Sequence, residues 1–338
     1  MLARTSKIRH RPSGVTLTTP LLIPSFSSKG FARSQNNKKS EVIKILKTAS
    51  EFITETCLIS AYDIYYKHIP NAEKLPCNPT LLFLDSGGYE ISRDRDYSSV
   101  IDPLPAPEPW SIKKWHSIVD SWPEELPAVI ISYDHHKKRY CFDEQVELAI
   151  QRFKKCGDHL LALLLKPETG SQEDLTETLN AARSKVTTLS NFDIIGVTEK
   201  ELGNSMLDRM AQIARLRKAM DDEEVNIPIH IFGALDPISV CLYFVAGAEI
   251  FDGLTWIRYG YHEGNCVYTH NMGVLRFGIG ATDNLIKSRA LAENYYYLQN
   301  LKQYLQEYEE TKKWDKLTPN HLLVKNAWDS LRTRLKKG

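Results

Sequence analysis

The 338-residue sequence has no Cys-x-Cys or Cys-x-x-Cys pair, and Cys57, Cys77, Cys141, Cys156, Cys241 and Cys266 stand apart. That spacing points to reduced intracellular thiols rather than to a disulfide framework or a zinc site. No apolar run reaches the roughly 18 residues of a membrane helix, so no membrane partner is expected and the expected location is cytoplasmic. The first 12 residues carry Arg4, Lys7, Arg9 and Arg11 without an apolar core, which reads as a short basic arm (1–13) rather than a secretory signal. Excess charge of one sign is also lacking. The net charge of +1 excludes an overall polycation, so contact with nucleic acid would rest on local positive charge. No Gly-x-Gly-x-x-Gly or Walker-type loop follows the first apolar run, which argues against a dinucleotide-binding sheet. Repeats and low-complexity tracts are missing as well.

What is present is ordinary in composition, with 42% hydrophobic and 25% charged residues, and strongly patterned. Apolar runs rich in Val, Ile, Leu and Phe occur at 19–25, 56–61, 81–87, 128–134, 160–167, 192–198, 228–234 and 249–256. Between most of them, segments such as 40–53, 143–156, 172–188, 204–220 and 237–246 place apolar residues at i, i+3 and i+4. Near-continuous apolar strands alternating with amphipathic helices predict a parallel sheet covered by helices. Eight of them predict a (β/α)₈ barrel over 14–284. The Pro-rich, charged insertion 94–110 reads as a loop on the active-site face. Helical patterns at 285–311 and 318–336 form a C-terminal extension, 285–338, that closes the bottom or side of the barrel. In its last helix, Leu322, Leu323, Ala327, Trp328, Leu331 and Leu335 make an apolar stripe for packing on the barrel or on a partner.

Barrel enzymes carry their chemistry at the C-terminal ends of the strands. Those positions hold Asp85, Asp134, Lys166, Thr198 with Glu199, Gly233 and Asp252. A strand-terminal aspartate alternatively caps the next helix, but three on one rim favour a site. Two carboxyl groups facing one pocket suit displacement at an anomeric carbon, one at the carbon and the other at the leaving group's proton. Around the first lies Asp85-Ser86-Gly87-Gly88-Tyr89-Glu90. Its paired glycines let the backbone turn and approach a flat ligand, with Tyr89 either stacking on that ligand or filling the core. Around the last, Gly253 leaves room beside Asp252. Arg258 either grips a phosphate or lies solvated on the rim.

At these residues the chain resembles the tRNA-guanine (queuine/archaeosine) transglycosylase superfamily, whose D-S-G-G-[YF]-Q and G-[VI]-D-x-F-D-x-x-x-P-T-R motifs carry two aspartates. Thr19-Pro20-Leu21-Leu22-Ile23-Pro24-Ser25, with Gly14 upstream, and the segment 58–64 extend the match, which runs in order over roughly 14–310. The resemblance implies base exchange without a cofactor. Asp252 attacks C1′ of a guanosine, guanine leaves, and a 7-deazaguanine replaces it on the covalent intermediate while Asp85 moves the protons. It further implies that Asp134 reads the N1 and exocyclic amino edge of guanine. Tyr89 and Phe232 lie where the family sandwiches the base, and Ser86, Gly196, Val197 and Gly233 fall among the residues contacting it. The family's second glycine after Gly196 is absent here, and Lys166-Pro167 stands where the family has a glutamine.

Two departures bear on the polymer. The family's zinc subdomain, a C-x-C-x-x-C cluster completed by a histidine, has no counterpart between Gly264 and Glu293, so no metal is expected. The family's P-T-R-x-x-R-x-G becomes Trp256-Ile257-Arg258-Tyr259-Gly260-Tyr261, with one arginine kept and the second replaced by tyrosine. A member without these parts resembles the branch that inserts 7-deazaguanines into DNA. Arg258, Tyr259 and Tyr261 then contact nucleic acid, the aromatics either stacking on bases or packing the rim. The expected partners are DNA, with tRNA the alternative, the free 7-deazaguanine base, and an ATPase or helicase that opens a duplex. Competing functions are a tRNA enzyme with a partner subunit, a non-catalytic nucleic-acid-binding barrel, and a glycoside hydrolase.

Overall fold

A computed structural model describes residues 2–29, 41–92, 106–135, 137–168, 174–317 and 319–337. Most of the 94–110 insertion, and the first residues of the segments expected as helices at 40–53, 172–188 and 318–336, lie outside the described residues. Each of the eight apolar runs forms one strand: β1 (Leu21–Pro24), β2 (Thr56–Ser60), β3 (Leu81–Asp85), β4 (Ala128–Ile131), β5 (Leu160–Leu165), β6 (Ile194–Thr198), β7 (Ile229–Phe232) and β8 (Ile250–Gly253). All pairings are parallel, and β8 pairs with both β7 and β1. The ring closes between β1 and β2 through a parallel bridge at Ser25 and Leu58, where the Phe26 amide donates to the Leu58 carbonyl at 2.9 Å. The expected (β/α)₈ barrel is the observed fold.

The strands read as unbroken apolar runs because both of their faces are covered. Leu21, Ile23, Leu81, Phe83, Val129 and Ile250 fill the barrel interior, and their neighbours Leu22, Leu82, Leu84, Ile130, Ile195 and Phe251 pack outward against the helices. The segment expected as a basic arm turns out differently. Lys7–Arg9 pairs antiparallel with Thr16–Thr18, and the buried Ile8 together with Leu17 plugs the interior from below. Arg4 bonds to Asp221 of the helix Met206–Asp222. Apolar side chains at alternate positions outweigh the basic ones there and make the segment a barrel floor.

The 29-residue helix Asp283–Thr311 begins two residues before the boundary expected at 284/285, with Thr282 capping it. It packs against β1 and against the helix Thr269–Phe277, burying Ile286, Ala290, Leu298, Leu301 and Leu305, and so takes the place of the eighth barrel helix. The last helix, His321–Lys337, packs on Met206–Asp222 and Pro237–Val245. Val324, Trp328 and Leu331 are buried there, whereas Leu322 and Leu323 face outward. Among the described residues no helix is long and apolar enough to cross a membrane.

One ion pair anchors the strand that carries Asp252. Arg217 and Glu249 have fully buried side chains and meet at 2.9 Å, Arg217 also donating to the carbonyls of Gly247 and Ile227 and Glu249 accepting from Thr19 Oγ1 at 3.0 Å. Removing one partner leaves the other as a buried, uncompensated charge. Arg217→Met is therefore expected to cost about 3–5 kcal/mol, read as a lowered midpoint in urea unfolding.

Candidate active site

Strand alternation decides which side chains reach the mouth of the barrel. Leu81 and Phe83 point inward, so Asp85 does too; Ile250 points inward, and so does Asp252. The same parity brings in Ser60, Gly196, Thr198, His230 and Phe232. At the C-terminal ends of the strands these side chains open onto a cavity of about 140 Å³ whose lining includes Asp85, Tyr89, Asp134, Lys166, Phe232 and Asp252. An apolar cavity of roughly 150 Å³ accepts a benzene-sized ring, so the ligand scale is one aromatic base and not a base pair. Ser86 and Gly233 also line it.

Asp252 is held at both oxygens. Ser25 Oγ donates to Oδ2 at 2.7 Å, and His230 Nε2 lies 3.0 Å from Oδ1. A carboxylate only accepts, so Nε2 carries the imidazole proton in this arrangement. The His230 ring stacks on Phe232 with centroids 3.8 Å apart and meets the edge of Phe83 at 5.7 Å. Its buried Nδ1 has no hydrogen-bond partner among the described residues. These contacts fix the direction of the Asp252 carboxylate without occupying its cavity side.

Asp85 is buried in different company. It accepts a hydrogen bond from the Gly87 amide at 3.0 Å. Burial first, then the nearby carboxylates of Glu90, Asp134 and Asp252, push its pKa well above the ordinary carboxylate range. Glu90 accepts from Ser27 Oγ at 2.5 Å and Ser60 Oγ at 2.8 Å, and burial raises its pKa despite both bonds. Asp63, fully buried behind them, is raised strongly by burial and by Glu90. The cavity therefore pairs an acid whose burial favours its protonated form with a second carboxyl group whose two oxygens are held by Ser25 and His230.

The turn after β3 shows why its glycines are needed. Gly87 adopts φ +87°, and a Cβ on it would lie 2.8 Å from Trp110 Nε1. A Cβ on Gly88 would collide with the Asp134 carboxylate. Asp134 is thus pressed onto bare backbone, where Ser86 Oγ donates to its Oδ1 at 2.5 Å. Phe232 uses Gly196 in the same way, since a Cβ on Gly196 would lie 2.5 Å from Phe232 Cε2. Tyr89 is braced on two sides, by Lys29 Nζ 4.2 Å from its ring centre and by Arg258 Nη2 donating to its hydroxyl at 3.1 Å. The Arg258 contact ties the turn after Asp85 to the segment after Asp252.

The structure brings together Asp85, Ser86, Tyr89, Asp134, Phe232, Gly233 and Asp252, with Gly196 beneath the Phe232 ring. Val197 is placed elsewhere. It is 1% exposed and belongs to the outward, helix-facing core, as strand parity beside Gly196 requires. Tyr261 is also buried, its hydroxyl donating to the Leu235 carbonyl at 2.6 Å. Trp256 is fully buried and donates to Ser25 O. Neither ring can stack on a nucleic-acid base. Tyr259 is half-buried, and its carbonyl and that of Trp256 both accept from Asn294 Nδ2 at 2.6 Å.

Sequence reasoning gave no role to Ser25, His230 or Glu90, and although it placed Lys166 at a strand end it did not foresee the ion pair of Lys166 with Glu201 in the cavity wall. His230 sits inside an apolar strand, where a histidine reads as core; its signal is the shared parity with Phe232. Among the described residues no group of three or more His, Cys, Asp or Glu side chains is arranged to hold a metal ion. Searches against protein-family models and against curated proteins find no match for the chain.

Proposed function

We propose that the protein exchanges guanine in DNA for a 7-deazaguanine base through a covalent bond between Asp252 and C1′. The observation that carries this reading is the pairing, at one base-sized cavity, of Asp252, held at both oxygens, with Asp85, whose burial favours the protonated form. Asp252 attacks C1′, the bond from C1′ to N9 breaks, and guanine leaves with the electron pair while Asp85 supplies a proton. The incoming base then returns a proton from N9 to Asp85, its N9 attacks C1′, and Asp252 is released. Two displacements keep the sugar attached throughout, so the strand is never left abasic in water. Asp134 is suited to accept from N1 and the exocyclic amine of guanine, two donors on one carboxylate. Phe232 supplies a flat face for the ring.

DNA is the preferred polymer because the sequence has neither the cysteine cluster nor the second arginine of the tRNA enzymes it resembles. A cavity of single-base size requires the target guanine to be flipped or single-stranded. This gives a duplex-opening ATPase or helicase a role as partner. Incubation with radiolabelled guanine and either DNA or tRNA tests the proposal. Label is expected in DNA and not in tRNA. Label only in tRNA would reverse the choice of polymer, and release of free guanine without incorporation would replace exchange with hydrolysis.

A further inference from the structure

A second cavity, of about 350 Å³, lies beside the N-terminal ends of β3 and β4, at the end of the barrel away from Asp252. Leu75, Cys77, Leu82, Trp122 and Leu126 are among the residues that line it. Behind Cys77 stands Cys57 of β2. Cys57 is fully buried, Cys77 is 6% exposed, and their Sγ atoms are 4.0 Å apart. The two cysteines are 20 residues apart in sequence, and the pairing of β2 with β3 is what brings them together. Cys57 is fixed in that ladder, opposite Leu82. Cys77 lies in the irregular stretch between the 3₁₀ turn Ala72–Lys74 and β3, so its side of the pair can yield. A disulfide needs sulfurs about 2 Å apart, which a shift of about 2 Å in that stretch supplies.

The two thiols are unequal. Cys77 belongs to the cavity wall, which a small solute can reach, since a water molecule needs only about 10–15 Å³ of such space. The hydrogen bond from Cys57 lowers the Cys77 pKa, while that bond and burial raise Cys57 well above the ordinary thiol value. The thiolate is the reacting form. We propose that Cys57 and Cys77 form a peroxide-sensitive dithiol that closes to an intramolecular disulfide, with Cys77 the reacting thiol and Cys57 the resolving one. The Cys77 thiolate attacks one oxygen of hydrogen peroxide, the O–O bond breaks, and the departing hydroxide takes the proton that Cys77 released. Cys57 then attacks the sulfur of the Cys77 sulfenic acid, the S–O bond breaks, and hydroxide leaves with the Cys57 proton. Two thiols and one peroxide thus give one disulfide and two waters. The inference does not depend on the base-exchange reading. Because the new bond closes a loop in the unfolded chain, the oxidised protein is the more stable form.

The test treats the full chain, reduced and then freed of reductant, with hydrogen peroxide. The sample is unfolded in an alkylating agent, digested and analysed by mass spectrometry. The expected product is a pair of peptides joined through Cys57 and Cys77, lighter by two hydrogens than the separate peptides and parted by a thiol reductant. Cys156 and Cys241, whose pKa values burial pushes up to about 12, should be recovered from the same sample as alkylated thiols. In Cys57→Ser the Cys77 sulfenic acid has no resolving thiol and should be trapped by dimedone. The midpoint of urea unfolding should rise on oxidation of the wild type and return on reduction. Recovery of both Cys57 and Cys77 as alkylated thiols, at a peroxide dose that oxidises the exposed Cys141, overturns the proposal whether or not the variant folds. So does a link that forms only after urea has unfolded the chain, or a midpoint that does not rise when the link is made.

Discussion

Asp252→Asn is expected to lower base exchange by on the order of 10⁴-fold or more and to abolish any covalent adduct, because the amide oxygen is a poor nucleophile. The substitution conserves shape, and its surroundings can absorb it. Ser25 Oγ, 2.7 Å away, can turn to donate or accept, and the His230 ring can carry its proton on the unpartnered Nδ1 instead of Nε2. The melting temperature should therefore stay close to that of the wild type while activity is lost. Exchange assays with labelled guanine, run beside thermal melts, separate this outcome from misfolding. Retention of exchange within tenfold of wild type would remove Asp252 from the nucleophile's role.

Asp85→Asn is expected to lower exchange by about 10²–10⁴-fold, the usual contribution of a positioned acid or base, with the effect on expulsion of guanine and on uptake of the incoming base. It also has an effect on stability with a definite sign. Folding raises the pKa of Asp85 above its unfolded value. The folded state thus binds the proton more tightly, and the stability this confers is fully present below the unfolded pKa. It is lost as pH rises through the folded pKa, where the buried carboxyl must ionise. Asparagine never ionises. The variant's melting temperature relative to the wild type should be lowest in buffer below the unfolded aspartate pKa and should rise with pH, until the variant melts higher than the wild type in alkaline buffer. Equal melting temperatures on the alkaline side would show that Asp85 is not held protonated. Asp63 and Glu90 are raised by the same burial and remain in the variant, and Asp85 adds to the upward push on Asp63, so the difference reads Asp85 together with its repulsion of these neighbours.

Much of the architecture was legible because each strand is a largely apolar run, and eight runs leave few alternatives to a closed barrel. The two principal aspartates were legible for the same reason: they sit at strand ends, where parity places them inside. Val197 was misplaced by ignoring that parity, since a residue beside the inward Gly196 must face the helices. Tyr261 was misplaced because its burial depends on Asn294, far along the chain on the helix Asp283–Thr311, whose Oδ1 accepts from the Tyr261 amide at 2.8 Å. The partners of Asp252 were hidden in a similar way. Ser25 lies at the end of β1 and His230 in β7, and only closure of the ring sets both against β8. The basic residues near the N-terminus outshone the alternation of Ile8 and Leu17 that builds the floor.

The covalent intermediate offers the most direct test. The protein is mixed with guanine-containing single-stranded DNA, quenched in denaturant, digested with nuclease and protease, and the peptides are weighed. The expected result is a deoxyribosyl ester on the peptide containing Asp252, absent from the Asp252→Asn variant and discharged when a 7-deazaguanine base is added before the quench. An ester on Asp85 or Asp134, or active exchange with every carboxylate unmodified, would contradict the assignment of Asp252 as the nucleophile.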